Sequence, residues 1–144
     1  MLNVPDSNGT EGLSSGLVQG TCLVVDDSAM VRKIARRLLS GLGFAIEEAE
    51  DGQKALDQCI RKMPNAVLLD WNMPVMDGLQ FLIALRAAEG GNAPAVVFCT
   101  TESDVEHITA ALDAGADEYL IKPFDKLSLE IKMGAALQAR SSVQ

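Results

Sequence analysis

Little in this 144-residue sequence points to a membrane, a thiolate metal centre or a nucleic acid. No apolar stretch approaches the ~20 residues that cross a bilayer, and the N-terminus lacks the basic region and apolar core of a signal peptide. Cysteine is scarce and odd in number, and Cys22, Cys59 and Cys99 show no metal-ligand spacing. Two of them fall in strand-like runs and one on the apolar side of a helical pattern. Buried free thiols in a reducing cytoplasm are therefore expected. Basic residues number 12 against 20 acidic ones, and the net charge of −8 repels phosphate backbones, which argues against direct DNA or RNA binding. Histidine occurs once, at His107, with neither a base nor a basic cluster near it in sequence. It is expected on the surface and not as a phosphocarrier. Neither GxxxxGKS/T nor GxGxxG is present, so no nucleotide-binding loop is expected.

What is present is a regular alternation. Residues 1–20, rich in Gly, Ser, Asn and Asp without apolar periodicity, read as a disordered extension. A single ordered domain over 21–144 follows, in which strands and helices alternate five times. The first helix carries Val31, Ile34, Ala35, Leu38, Leu39 and Leu42 at amphipathic spacing, with Ser28 as N-cap and Gly41 or Gly43 at its end. The second helix shows Ala55, Leu56, Cys59, Ile60 and Met63; further helices are expected over 79–89, 103–114 and 125–140. Strand 44–49 carries Glu47 and Glu48, as befits a charge-protected sheet edge. The runs at 22–25, 66–69 and 95–99 are continuously apolar, as strands covered on both faces are. The fold predicted is α/β, a doubly wound five-stranded parallel sheet. Only four residues follow Arg140, so a stand-alone module without an effector domain is expected.

Four of these runs end in residues that bind phosphoryl groups or cations. CLVV leads into Asp26 and Asp27, AVLL into Asp70, AVVFC into Thr100, and YLI into Lys122. In a parallel sheet these ends lie along one edge, where open α/β sheets bind ligands. Three carboxylates at ~4 Å repel one another by roughly 4 kcal/mol per pair at an effective dielectric near 20. Either some of them are protonated or a cation neutralises them. Hard oxygen ligands without His or Cys favour Mg²⁺ or Mn²⁺ over zinc. A nucleophile, a metal, a fixed ammonium and a hydroxyl are the parts of phosphoryl transfer, and without a nucleotide loop the phosphoryl group must arrive on another protein or a small donor.

The segments VVDDS, LLDWNMPVMDG, CTTE and YLIKPF, in this order and spacing, closely resemble the receiver domain of two-component response regulators, particularly the single-domain chemotaxis type. The resemblance covers about Thr21 to Arg140. It implies the flavodoxin-like strand order 2-1-3-4-5 and a signalling protein, not an enzyme acting on other substrates. It implies that Asp70 accepts the phosphoryl group from a phosphohistidine on a sensor histidine kinase or a histidine phosphotransfer domain. Asp27 and Asp70 would bind Mg²⁺ directly, Asp26 through water, and Asn72 through its backbone carbonyl. Lys122 would pair with phosphoryl oxygens, Thr100 would reorient toward them, and Tyr119 would turn into the space Thr100 leaves. The Lys122–Pro123 bond is implied to be cis. Asn72, Thr101 and Glu102 occupy the tuning positions. Thr101 is larger than the common Ala or Gly, while Asn72 with Glu102 matches fast-resetting receivers, so a short-lived phosphorylated form is expected.

Blander readings stand beside these. An acidic pair after a strand is ordinarily a helix N-cap region; Asp70 and Lys122 at matching strand ends reverse that preference. Arg32, Lys33, Arg36 and Arg37 make a basic stripe that is either a solvated face or a dock for the phosphodonor. Trp71 reads as a partly exposed loop aromatic near the site. The leading function is a receiver whose phosphorylation re-forms the face of the fourth helix, fifth strand and last helix for a protein target, for chemotaxis the flagellar switch. A phosphorelay shuttle or phosphate sink is the alternative. A pseudo-receiver is disfavoured because every position is filled. A haloacid-dehalogenase-type phosphatase expects Asp where Asn72 stands.

Overall fold

The computed structural model describes residues 20–101 and 105–141. The predicted N-terminal extension up to residue 19, and Glu102 with the predicted start of the fourth helix, lie outside the described residues. The elements are β1 (Gly20–Val25), α1 (Ala29–Ser40), β2 (Phe44–Ala49), α2 (Gly52–Arg61), β3 (Ala66–Asp70), α3 (Gly78–Ala87), β4 (Ala95–Thr100), α4 (Val105–Asp113), β5 (Glu118–Ile121) and α5 (Lys126–Ser141). All neighbouring strands pair in parallel, in the order β2-β1-β3-β4-β5. The flavodoxin-like α/β fold expected from the sequence is the fold observed.

The two-residue period of the strands splits the core into two layers. Cys22, Val24, Ala66, Leu68, Val97 and Cys99 face α1 and α5, against Leu39, Leu129 and Met133. Leu23, Val25, Val67, Leu69, Val96 and Phe98 face the other helices, against Cys59, Phe81 and Leu85. This explains why β1, β3 and β4 are apolar throughout. All three cysteines are free and buried, and burial pushes the Cys22 and Cys59 thiols up to about 12. The edge strand β2 instead alternates, with Phe44 and Ala49 buried at its ends.

Local signals set the helix ends. The Ser28 hydroxyl accepts from the Val31 N–H to cap α1, and Asp77 with Gln80 forms a capping box that starts α3 at Gly78. After α4 the chain turns at Gly115 with φ +115, a conformation that disfavours any side chain. Two periodicity assignments fail. Ile34 and Ile60, predicted on apolar helix faces, are 48% and 64% exposed. A stripe wider than the contact surface leaves its margin in solvent.

Candidate functional site

The chain order doubles back beside β1: β2 lies on one side of it and β3 on the other. At this switch point the carboxyl ends of β1 and β3 are adjacent, and helices diverge from them. Asp26 lies just past β1, and Asp70 is the last residue of β3; both are buried. Asp27, the next residue along, is exposed. One oxygen from each of Asp26, Asp27 and Asp70 lies within 4.8 Å of the others.

Lys122, one residue beyond β5, reaches into this group from the far side of the sheet. Its Nζ donates to Asp26 Oδ2 at 2.7 Å and to Asp70 Oδ1 at 2.9 Å. The Lys122 N–H donates to the Thr100 carbonyl (2.7 Å) in the turn that carries it, and the Lys122–Pro123 bond is cis, as the family resemblance implied. Thr100 closes β4 and is buried. A groove of about 410 Å³ opens beside these residues, lined by Val31, Ile34, Thr101, Lys122, Pro123 and Phe124.

Electrostatics follow from three carboxylates facing one ammonium. Burial is foremost in raising the Asp70 carboxyl above its ordinary range; the Lys122 hydrogen bond opposes this and the charges of Asp26 and Asp27 add to it. Burial pulls Lys122 down, yet its hydrogen bonds to two carboxylates outweigh that and hold the ammonium above its ordinary value. The two directions agree once charges are counted: three negative and one positive leave two negative, the charge one divalent cation cancels. An all-oxygen donor set with an exposed member fits Mg²⁺, which takes few carboxylates and keeps its waters.

The loop after β3 is pinned to the site. The Gly78 N–H donates to the Trp71 carbonyl at 2.9 Å, and a Cβ at Gly78 would overlap the Asp70 carbonyl oxygen. The loop also carries strain, because Val75 has φ +69 while the Met76 N–H bonds back to the Pro74 carbonyl at 2.7 Å. Asn72 lies in this loop and is exposed.

The structure also gives neighbours to other residues singled out in the sequence. His107 is not a bare surface residue: its ring stacks on Trp71 at 4.3 Å and 20°, while Trp71 meets Phe98 edge-on at 5.1 Å. Trp71 thus ties the segment after Asp70 to α4. Tyr119 is half-buried, with Lys132 Nζ 4.4 Å from its ring centroid. The basic stripe divides. Arg32 and Arg36 both clamp Glu48 of β2, at 2.9 and 2.7 Å, whereas Lys33 and Arg37 are exposed. Sequence periodicity could not reveal this, since Glu48 meets the arginines only through the β1–β2 pairing.

Residues 22–133 match the family described as the response regulator receiver domain. The chain belongs to that family, the receiver module of two-component signalling. Among its relatives, the response regulator MprA of Mycobacterium sp. (strain KMS) is 44% identical over 119 residues, which cover 83% of this chain and 51% of that protein. The chain thus spans about half the length of the curated relatives it matches. The chemotaxis protein CheY4 of Vibrio cholerae superposes with a TM-score of 0.78 at 29% identity, covering 83% of this chain and 99% of that one. The receiver domain of the sensor histidine kinase PA1611 of Pseudomonas aeruginosa PAO1, solved with a magnesium ion in its active-site cleft, gives 0.77 at 26% identity, with 84% and 99% coverage.

Proposed function

We propose that this receiver takes a phosphoryl group onto Asp70 from a phosphohistidine of a sensor histidine kinase or histidine phosphotransfer domain. The observation that carries the reading is the Asp70 carboxylate held 2.9 Å from Lys122 Nζ with Asp26 and Asp27 alongside. An Asp70 carboxylate oxygen forms the new bond to phosphorus, the donor's P–N bond breaks with its electron pair returning to the ring nitrogen, and the imidazole leaves neutral because its other nitrogen already carries a proton. Mg²⁺ bound by Asp26, Asp27, Asp70 and the Asn72 carbonyl would neutralise charge on the transferring oxygens. Lys122 supplies a second, fixed positive charge from the opposite side. Thr100 hydrogen-bonds the phosphoryl group once it is in place, and Tyr119 follows it inward. Asn72, Thr101 and Glu102 set how long the mark lasts.

The output surface in this reading is the face of α4, β5 and α5. Support comes from Val105, Leu112, Leu127 and Ile131, large apolar residues of α4 and α5 that are 42–74% exposed. Such residues suit burial by a protein partner and not by nucleic acid. The protein target is one for chemotaxis, motility or a related signalling output, and the setting is the cytoplasm, consistent with three free thiols. Among the described residues no helix is long and apolar enough to cross a membrane.

Labelling with acetyl phosphate and Mg²⁺ should give a hydroxylamine-labile acyl phosphate at Asp70. Labelling that persists in Asp70→Asn would reject the assignment. A pull-down with and without beryllofluoride should then yield an activation-dependent target. Transfer from the labelled protein to a histidine phosphotransfer domain, with no such target, would favour the relay or phosphate-sink role.

A further inference from the structure

The Asp26–Asp27 segment is held at four points, and one holder comes from the basic stripe of α1. The Asp26 N–H donates to the Ala49 carbonyl at 3.1 Å, its Oδ1 accepts from the Ser28 N–H at 2.9 Å, and its Oδ2 accepts from Lys122. The remaining polar group, the Asp26 carbonyl oxygen, accepts from the Arg32 guanidinium at 2.7 Å. That carbonyl belongs to the peptide plane joining Asp26 to Asp27. Fixing it fixes the plane on one side of Asp27, and the Ser28 N–H bond to Asp26 Oδ1 holds the backbone on the other, so the two together restrict the direction in which the Asp27 side chain leaves. Arg32 is itself held: its Nε donates to Glu48 Oε1, and Arg36 secures the other oxygen. Its side chain is only 18% exposed, so the fork is not a loose surface contact. A guanidinium can present one edge to a carboxylate and another to a carbonyl, which an ammonium cannot do with the same geometry.

We propose that Arg32 is a positioning residue of the Mg²⁺ site, braced on Glu48 and aiming Asp27 through the Asp26 carbonyl. This rests on the reading of Asp26, Asp27 and Asp70 as metal ligands. Charge and position predict opposite results for its removal. Taking a cation away from an acidic cluster by itself tightens Mg²⁺ binding. Losing the orientation of Asp27 weakens it, and partners of metal ligands carry about 10–100-fold in metal affinity.

The test is Mg²⁺ titration of the full chain followed by the fluorescence of Trp71, the sole tryptophan, or by calorimetry, together with the melting temperature of the metal-free protein. Arg32→Gln should raise the Mg²⁺ Kd by about tenfold, the low end of that range because Asp26 keeps its other bonds. Arg36→Gln removes the same charge from the same Glu48 without touching Asp26, and its Kd should be unchanged or lower. Arg32→Lys, which keeps the charge, should recover only part of the loss, and it decides the matter if Arg32→Gln does not fold. A Kd in the Arg32 variants equal to or below wild type, with only the melting temperature reduced, would overturn the proposal in favour of a purely structural clamp. If wild type shows no Mg²⁺ response by either method, the reading of the metal site itself fails, a different result from equal binding by all variants.

Discussion

Both edges of the sheet bury a cluster of charges, and they are built on opposite principles. At the amino-terminal edge, Arg86 and Arg140 close on Asp117, whose side chain is 5% exposed. Arg86 also donates to the carbonyls of Gly91, Pro94 and Gly115, and Arg140 to those of Asn92 and Gly115. Asp117 accepts in addition from the Val96 N–H. Burial first, and then the neighbouring Arg140, lower Arg86 to about 10, and its many acceptors keep it charged near neutrality. Such a cluster is finished: its donors and acceptors satisfy one another, and it joins α3, α5 and the starts of β4 and β5. At the carboxyl-terminal edge three carboxylates share one ammonium, and negative charge is left over. The saturated cluster ties the fold together, whereas in the proposed reading the unsaturated one holds free energy that a cation and a phosphoryl group would release on binding. Two guanidiniums on one carboxylate leave a positive charge at the amino-terminal edge as well, but backbone carbonyls answer it; what sets the other edge apart is like charges gathered on one ammonium.

The contrast breaks first on Asp70. Asp70→Asn should abolish phosphoryl labelling, since no carboxylate remains to form the bond to phosphorus, while Asp117→Ala should label like wild type if still folded. Loss of labelling in the Asp117 variant with retained Mg²⁺ binding would show that the amino-terminal edge is not merely structural. In stability the ranking inverts. Asp117→Ala leaves two buried guanidiniums without their carboxylate and should cost about 3–5 kcal/mol in denaturant unfolding. A loss under about 1 kcal/mol would mean the backbone carbonyls suffice without it.

Metal-free Asp70→Asn should by contrast gain about 1 kcal/mol near neutrality, the size of an ordinary single-site effect. The gain must depend on pH. Asp70 binds its proton more tightly folded than unfolded, so the folded state holds more protons as pH rises from the ordinary 3.8 through the raised value. Wild-type stability is lost across that window, and the variant's advantage should grow there and then level off. Glu48 runs the other way. The Arg36 hydrogen bond, helped by Arg32 and opposed by partial burial, holds it below its ordinary 4.5. Its stabilisation is present above 4.5 and disappears as pH falls through the lowered value. Comparing the pH profiles of Asp70→Asn and Glu48→Gln tests both signs; an Asp70→Asn advantage that shrinks with rising pH would contradict the charge balance described. The smallest effect belongs to the strained loop on the same edge. Val75→Gly should raise stability by about 1 kcal/mol or less, since relief of strain is partly offset by the entropy of the added glycine. A marked loss on thermal melting would show that Val75, 81% exposed, contributes more than its backbone costs.

Much of this was readable from the chain because its signals are local. Continuous apolar runs identify β1, β3 and β4 as covered strands, and polar residues after four of the strands mark the site. Glycines and caps place the helix ends to within a few residues. The amino-terminal cluster was not readable. Arg86 on α3, Asp117 just before β5 and Arg140 on α5 share no motif, and each resembles an ordinary surface charge in sequence. Likewise, nothing local separates Arg32 from Lys33 in the basic stripe, or tells Ile34 and Ile60 from their buried neighbours. His107 became a stacking partner of Trp71 only when α4 was laid beside the loop following β3.

The sequence by itself determined the alternation of strands and helices, the family, and which side chains stand at the strand ends, because hydrophobic period and turn chemistry act within a few residues. Only the tertiary structure decided which charges are answered and which are not. That depends on distances between residues as far apart as Asp26 and Lys122, 96 positions along the chain, and on burial, which turns an ordinary carboxylate into one that resists losing its proton.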